Sequence, residues 1–140
     1  MNELLKLENQ LCFPLYACAK EVVRRYTPLL DSLGLTYTQY ITMMVLWEHK
    51  SISIRDMGKL LFLDSGTLTP MLKKMEKAGL IRRERSKEDE RKVIVSLTEK
   101  GENLHDMASG IPAKMSQCLT LDNDEAMQLY ALLHKLMKTF

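Results

Sequence analysis

The 140 residues predict a mainly α-helical fold with one small β-hairpin, a winged helix-turn-helix flanked by terminal helices. Three observations predict it. Apolar residues recur at helical three-four spacing along most of the chain. A short helix, a turn and a longer helix follow one another between Ser53 and Gly79. Two short runs, Leu80–Arg85 and the β-branched Val93–Leu97, then flank a charged polar connection.

The first helix rests on apolar and aromatic residues at 12, 15, 16, 19, 22, 23, 26, 29 and 30, one face of a helix. Pro14 lacks an N–H and clashes with the carbonyl four residues back, so it belongs in the first turn. The helix therefore starts between Gln10 and Phe13, and Gly34 ends it or the short turn after it. A second helix runs from about Thr38 to His49, carrying Tyr40, Ile41, Met44, Val45 and Trp47. Ser53 is an N-cap for a short third helix, Ile54 to Leu61. Asp64 or Ser65 opens the fourth, which Gly79 stops. Pro70 predicts a late start or a kink there.

The pattern then changes to a hairpin, Leu80–Arg85 and Val93–Leu97 around the charged Ser86–Lys92. Thr98 caps the next helix, with Glu99 in its first turn. Helix resumes to about Cys118, with room for a break at Gly110-Ile111-Pro112, so the expected order is four helices, the hairpin and two helices. The last runs from about Asp122 and carries Met127, Leu129, Tyr130, Leu132, Leu133, Leu136 and Met137. Residues 1–140 read as a single domain, with about 36–97 as its DNA-binding part. Segments of about 1–35 and 98–140 have apolar faces too wide for a domain this small to cover, so they read as homodimerisation helices.

Composition narrows the function. A hydrophobic content of 46% supports a globular core. No run of 18 uncharged apolar residues exists, so no membrane span is expected. The first ten residues carry Glu3 and Glu8 and lack the apolar core of a secretory signal, so the expected location is cytoplasmic. Net charge is only +2, but nine bases against five acids between Lys73 and Lys92 make that stretch +4. Such a local basic stripe is a footprint for phosphate. Three cysteines, Cys12, Cys18 and Cys118, form no CxxC pair, and the histidines form no HxxxH pair, so no metal or other cofactor is expected. A cysteine here would act through its reactivity.

The fourth helix opens Asp64-Ser65-Gly66-Thr67-Leu68-Thr69. Small hydroxyl residues with a glycine let a helix N-terminus approach the major groove of double-stranded DNA. Ser65, Gly66, Thr67, Thr69 and Lys73 are candidate DNA contacts, and the hairpin tip adds Arg91 and Lys92 for a minor groove or the backbone.

Three runs carry a resemblance. Leu7-Glu8-Asn9-Gln10-Leu11-Cys12-Phe13-Pro14-Leu15-Tyr16-Ala17 is similar to the sensor helix of the OhrR branch of the MarR family, the organic hydroperoxide repressors. Leu63-Asp64-Ser65-Gly66-Thr67-Leu68-Thr69-Pro70-Met71-Leu72 resembles its recognition helix, and Asp89-Glu90-Arg91 its wing tip. The resemblance implies a non-enzymatic repressor on a pseudo-palindromic operator, with organic hydroperoxide as effector. It implies that Cys12 is the peroxide-reactive thiol, and that Tyr26 and Tyr37 hydrogen-bond it from the other subunit. It implies that Arg91 enters the minor groove with Asp89 orienting it. Some members of the branch pair the oxidised sensor with a second cysteine across the dimer, and Cys118 stands about where that cysteine does. Others use a small thiol, and both fates are open here.

Spacing adds physical limits. Cys12 in a first turn meets unpaired N–H groups that stabilise a thiolate, the form peroxide converts to sulfenic acid. Tyr16 lies one turn on, on the same face, and is a third candidate hydrogen-bond partner for the sensor sulfur. Tyr26 is roughly 21 Å further along the helix, out of reach within one subunit. Cys18 is roughly 9 Å along it, whereas a disulfide needs Cα atoms within about 7 Å, so Cys18 reads as packing. The competing trigger is a small aromatic or phenolic ligand in a pocket of Tyr16, Tyr26, Tyr37 and Trp47. A thiol peroxidase would want a charged group poised at the sulfur, and no arginine or threonine adjoins Cys12.

Overall fold

The computed structural model describes residues 2–140; residue 1 of the 1–35 segment lies outside the described residues. Two 3-10 turns, Glu3–Leu5 and Leu7–Asn9, lead into helix α1, Cys12–Leu30. Gln10 ties them together, its side-chain amide donating to the carbonyls of Leu4 (2.7 Å) and Lys6 (3.0 Å). Pro14 sits in the first turn of α1, where its missing donor costs nothing. After a 3-10 turn at Asp31–Leu33, Gly34 adopts φ +67°, a left-handed stop that suits glycine.

Helix α2, Tyr37–His49, starts at a capping box in which Thr36 and Gln39 each serve the other's backbone N–H. Strand β1, Ser51–Ser53, follows and leads into α3, Ile54–Leu61, capped by Ser53. β1 was not expected, because three residues carry no readable period; it forms through its pairing with a later strand. Helix α4, Ser65–Lys77, is capped by Asp64, whose carboxylate accepts from the Thr67 N–H at 2.8 Å. It begins at Ser65 despite Pro70, which corrects the expected late start. A proline at that position removes only the bond to the Gly66 carbonyl, in an exposed first turn open to water.

Strands β2, Ile81–Arg85, and β3, Val93–Leu97, form the hairpin, and β3 lies between β1 and β2 in an antiparallel sheet. Thr98 then caps α5, Glu99–Ala108. Helix α6, Ile111–Gln117, follows the Gly110-Ile111-Pro112 break, and α7, Asn123–Met137, opens at a capping box of Asp122 and Glu125. Three helices therefore follow the hairpin rather than the expected two, because Gly110 and Pro112 end one helix and open the next.

The core gathers Leu30, Leu33 and Leu35 with Tyr40, Met43 and Leu46 of α2, Met57 of α3, and Leu68, Leu72 and Met75 of α4. Ile81 and Val95 of the hairpin and Ala108 and Ile111 of the later helices join it. One core thus reaches from the end of α1 to the start of α6. Gly101 lets α5 lie directly on the chain at Leu80, since a Cβ there would run into the Leu80 carbonyl oxygen. Two further bonds fasten that corner: the Thr98 hydroxyl donates to the Gly79 carbonyl (2.6 Å), and the Lys100 amine to the Ala78 carbonyl (2.9 Å). By contrast α7 buries no residue, and Met127, Tyr130 and Leu132 are more than half exposed.

Candidate functional site

Helices α3 and α4 form the helix-turn-helix, with Phe62 at φ 56° closing α3. Asp64, in capping α4, leaves Ser65, Gly66 and Thr67 exposed on its first turn, with Thr69 half-buried and Lys73 exposed one turn further. Hydrogen bonds from the Thr67 side chain and backbone hold the Asp64 carboxyl below its ordinary range, so the cap stays ionised.

The connection between β2 and β3 is an ordered turn. The Ser86 N–H donates to the Lys92 carbonyl (2.8 Å), and the Lys92 N–H to the Asp89 carbonyl (3.0 Å). Asp89 accepts on one oxygen from both the backbone N–H (3.1 Å) and Nε (3.2 Å) of Arg91. Those two bonds hold the Asp89 carboxyl below its usual range. The Asp89 side chain is two-thirds sheltered while the Arg91 side chain is 92% exposed, so a fixed carboxylate holds an outward-pointing guanidinium. Lys92 is exposed beside it.

Helix α4 and the hairpin are braced by a pair the sequence reading did not single out. Glu76 of α4 accepts the backbone N–H of Arg83 in β2 (2.9 Å) and its Nη2 (3.0 Å), with Nε at 3.4 Å. Arg83 accordingly lowers the Glu76 carboxyl below its usual range. The seven-residue separation gave no helical-pair signal, because the two residues lie on different elements.

Cys12 is the first residue of α1 and is exposed. No side chain caps that helix, so its first-turn N–H groups have no side-chain acceptor. Tyr16 is exposed one turn later. At the far end of α1, Tyr26 meets Tyr37 (ring centroids 4.8 Å) and Tyr40 (5.8 Å). Burial raises the phenol pKa of all three, so they remain O–H donors. Tyr26 and Tyr37 are thus brought together as a pair, apart from Cys12. Tyr40, almost fully buried, was missed as their neighbour because its helical position marks it as core.

Cys118 is the C-cap of α6, exposed, its thiol 3.5 Å from the Lys114 carbonyl; Cys18 is exposed on α1, and all three cysteines are free. Trp47 belongs elsewhere: its Nε1 donates to the Gly101 carbonyl (3.0 Å) and its ring meets His105 edge-on. The four-ring pocket of Tyr16, Tyr26, Tyr37 and Trp47 is therefore not assembled within the protomer. Among the described residues no group of three potential metal ligands occurs, and no helix is long and apolar enough to cross a membrane.

Comparison with known proteins decides the family. Residues 24–107 match the family described as Transcriptional regulator SarA/Rot. The organic hydroperoxide resistance transcriptional regulator of Bacillus subtilis is 50% identical over 135 residues, covering 96% of this chain and 92% of that protein. The chain belongs to the MarR/SarA family of transcriptional regulators. It is a winged-helix, DNA-binding regulator rather than an enzyme. Among solved structures, reduced AbfR bound to DNA superposes with a TM-score of 0.84 at 33% identity, covering 99% of this chain and 94% of that one. Disulfide-formed AbfR superposes less well, with a TM-score of 0.69 at 34% identity and coverages of 98% and 93%. At nearly equal identity and coverage, this MarR/SarA protomer therefore has the shape of the reduced, DNA-bound relative more than that of the disulfide form.

Proposed function

We propose that this regulator is a homodimeric repressor, released from a pseudo-palindromic operator when an organic hydroperoxide oxidises Cys12. The observation that carries the reading is an exposed cysteine opening an uncapped helix, in a chain half identical to a hydroperoxide resistance regulator. The Cys12 thiolate attacks the peroxide, the O–O bond breaks, sulfur keeps one oxygen as sulfenic acid, and the alkoxide leaves and takes up a proton. A DNA-binding regulator of this kind works in the cytoplasm.

Residues of about 36–97 form the DNA-binding part, and those of about 1–35 and 98–140 the dimerisation helices. The exposed apolar face of α7 and the exposed leucines 4, 5, 7 and 11 support a second copy as their cover. The dimer sets two α4 helices one DNA turn apart, about 34–36 Å. On each half-site Ser65, Gly66, Thr67, Thr69 and Lys73 face the major groove, while Arg91, steadied by Asp89 and flanked by Lys92, enters the adjoining minor groove. Tyr16 of one subunit and the Tyr26–Tyr37 pair of the other donate hydrogen bonds to reduced Cys12. Oxidation breaks them; the thiol of Cys118 of the partner subunit or a small thiol then attacks the sulfenic sulfur, a disulfide forms as the S–O bond breaks and water leaves, and the dimer shifts between two geometries. The test is a gel shift with Cys12→Ser. The variant should bind operator and ignore hydroperoxide; peroxide-dependent release from it would refute the role of Cys12.

A further inference from the structure

The cleft between α3, the start of α4 and the wing has an open volume of about 790 Å³. One wall carries Arg55 and Lys59 of α3, and the other Arg91 and Lys92. Arg55 and Lys59 are one turn apart, about 6 Å along the axis and on one helix face. Both are exposed, and neither forms an ion pair among the described residues. Asp89 also lines the cleft, but its carboxylate is engaged by Arg91. The uncompensated charge of the cleft is therefore positive on both walls.

Duplex geometry says what passes there. Major and minor grooves are separated by one sugar–phosphate strand. A protein with α4 in the first and the wing tip in the second must lay that strand across the gap between them, and that gap is this cleft. We infer that the cleft seats the phosphate backbone between the two grooves, with Arg55 and Lys59 as phosphate-binding residues. This rests on the groove assignments proposed above. Contacts of this kind carry no base sequence; they fix register and contribute a salt-dependent share of affinity.

The test needs no operator, since phosphate binding is shared by any sequence. Wild type and the Arg55→Gln/Lys59→Gln double variant are titrated by fluorescence anisotropy onto a generic duplex of roughly 30 base pairs over a range of salt. The double variant should lose about 1.8 from the log–log salt slope for each subunit seated on the duplex, about 12-fold in affinity per subunit over a fourfold salt step. Arg55→Lys/Lys59→Arg keeps both charges and should restore the slope. All variants should melt with wild type, since both positions are exposed. An unchanged slope in the double variant, with wild type binding normally, overturns the inference and leaves the groove assignments standing. Failure of wild type to bind duplex at all sinks both. Thermal stabilisation of wild type but not the variant by inorganic phosphate, with an unchanged slope, would make the cleft a free-anion site and also overturn it.

Discussion

Replacing Arg91 by alanine separates binding from folding. The side chain is 92% exposed and its partner is Asp89 in the same turn, so its loss should move stability by no more than about 0.5 kcal/mol. A groove-reading arginine contributes about 1–3 kcal/mol, and a dimer presents two wings. Even the low end, about 2 kcal/mol for the pair, weakens operator binding about 30-fold. Asp89→Ala keeps the guanidinium but frees it, so it should weaken specific binding by less while leaving the salt slope near wild type. The assay is anisotropy on a duplex selected by the protein from random sequence, beside a thermal melt. Binding by Arg91→Ala within about twofold of wild type, with an unchanged melt, would refute the wing's role.

Other outcomes follow from the same geometry. Glu76→Ala removes the acceptor for three Arg83 donors, so operator affinity should fall, and Arg91→Ala should then cost less than in wild type; equal costs in both backgrounds would show that the brace does not set the wing. Trp47→Phe deletes the bond to Gly101 and should lower stability by about 0.5–1.5 kcal/mol, read by denaturant melts at fixed protein concentration. The lowered Glu76 and Asp89 carboxyls add stability above their unfolded values, near 4, and that share is lost as pH falls through the lower folded values. A melt should therefore be insensitive to these groups from neutral pH to about 5 and decline only below it. The raised phenols act in the other direction: Tyr26, Tyr37 and Tyr40 stay neutral past pH 10, and stability falls as pH rises through their folded values, as ultraviolet titration would report.

Local chemistry made most of the fold readable. Ser53, Asp64, Thr98 and Asp122 each cap the helix their side chains suit, and the third helix has the bounds its pattern implies. β1 was invisible because its partner, β3, lies more than forty residues away and supplies what a three-residue run cannot. The late start expected from Pro70 does not occur, because the carbonyl that loses its donor lies in an exposed first turn. Pairs between different elements were equally hidden: Glu76 with Arg83, Trp47 with Gly101, and Tyr40 beneath Tyr26. Arg55 and Lys59 stand outside the basic stretch of residues 73–92, and only the fold brings them to the same cleft as Arg91.

The central claim concerns one sulfur. The protein–operator complex is treated with stoichiometric organic hydroperoxide, and DNA release is followed alongside mass spectrometry of each cysteine-bearing peptide. The account predicts that loss of binding tracks the first oxygen added at Cys12, before any change at Cys18 or Cys118. Release that begins while Cys12 remains a free thiol would contradict it.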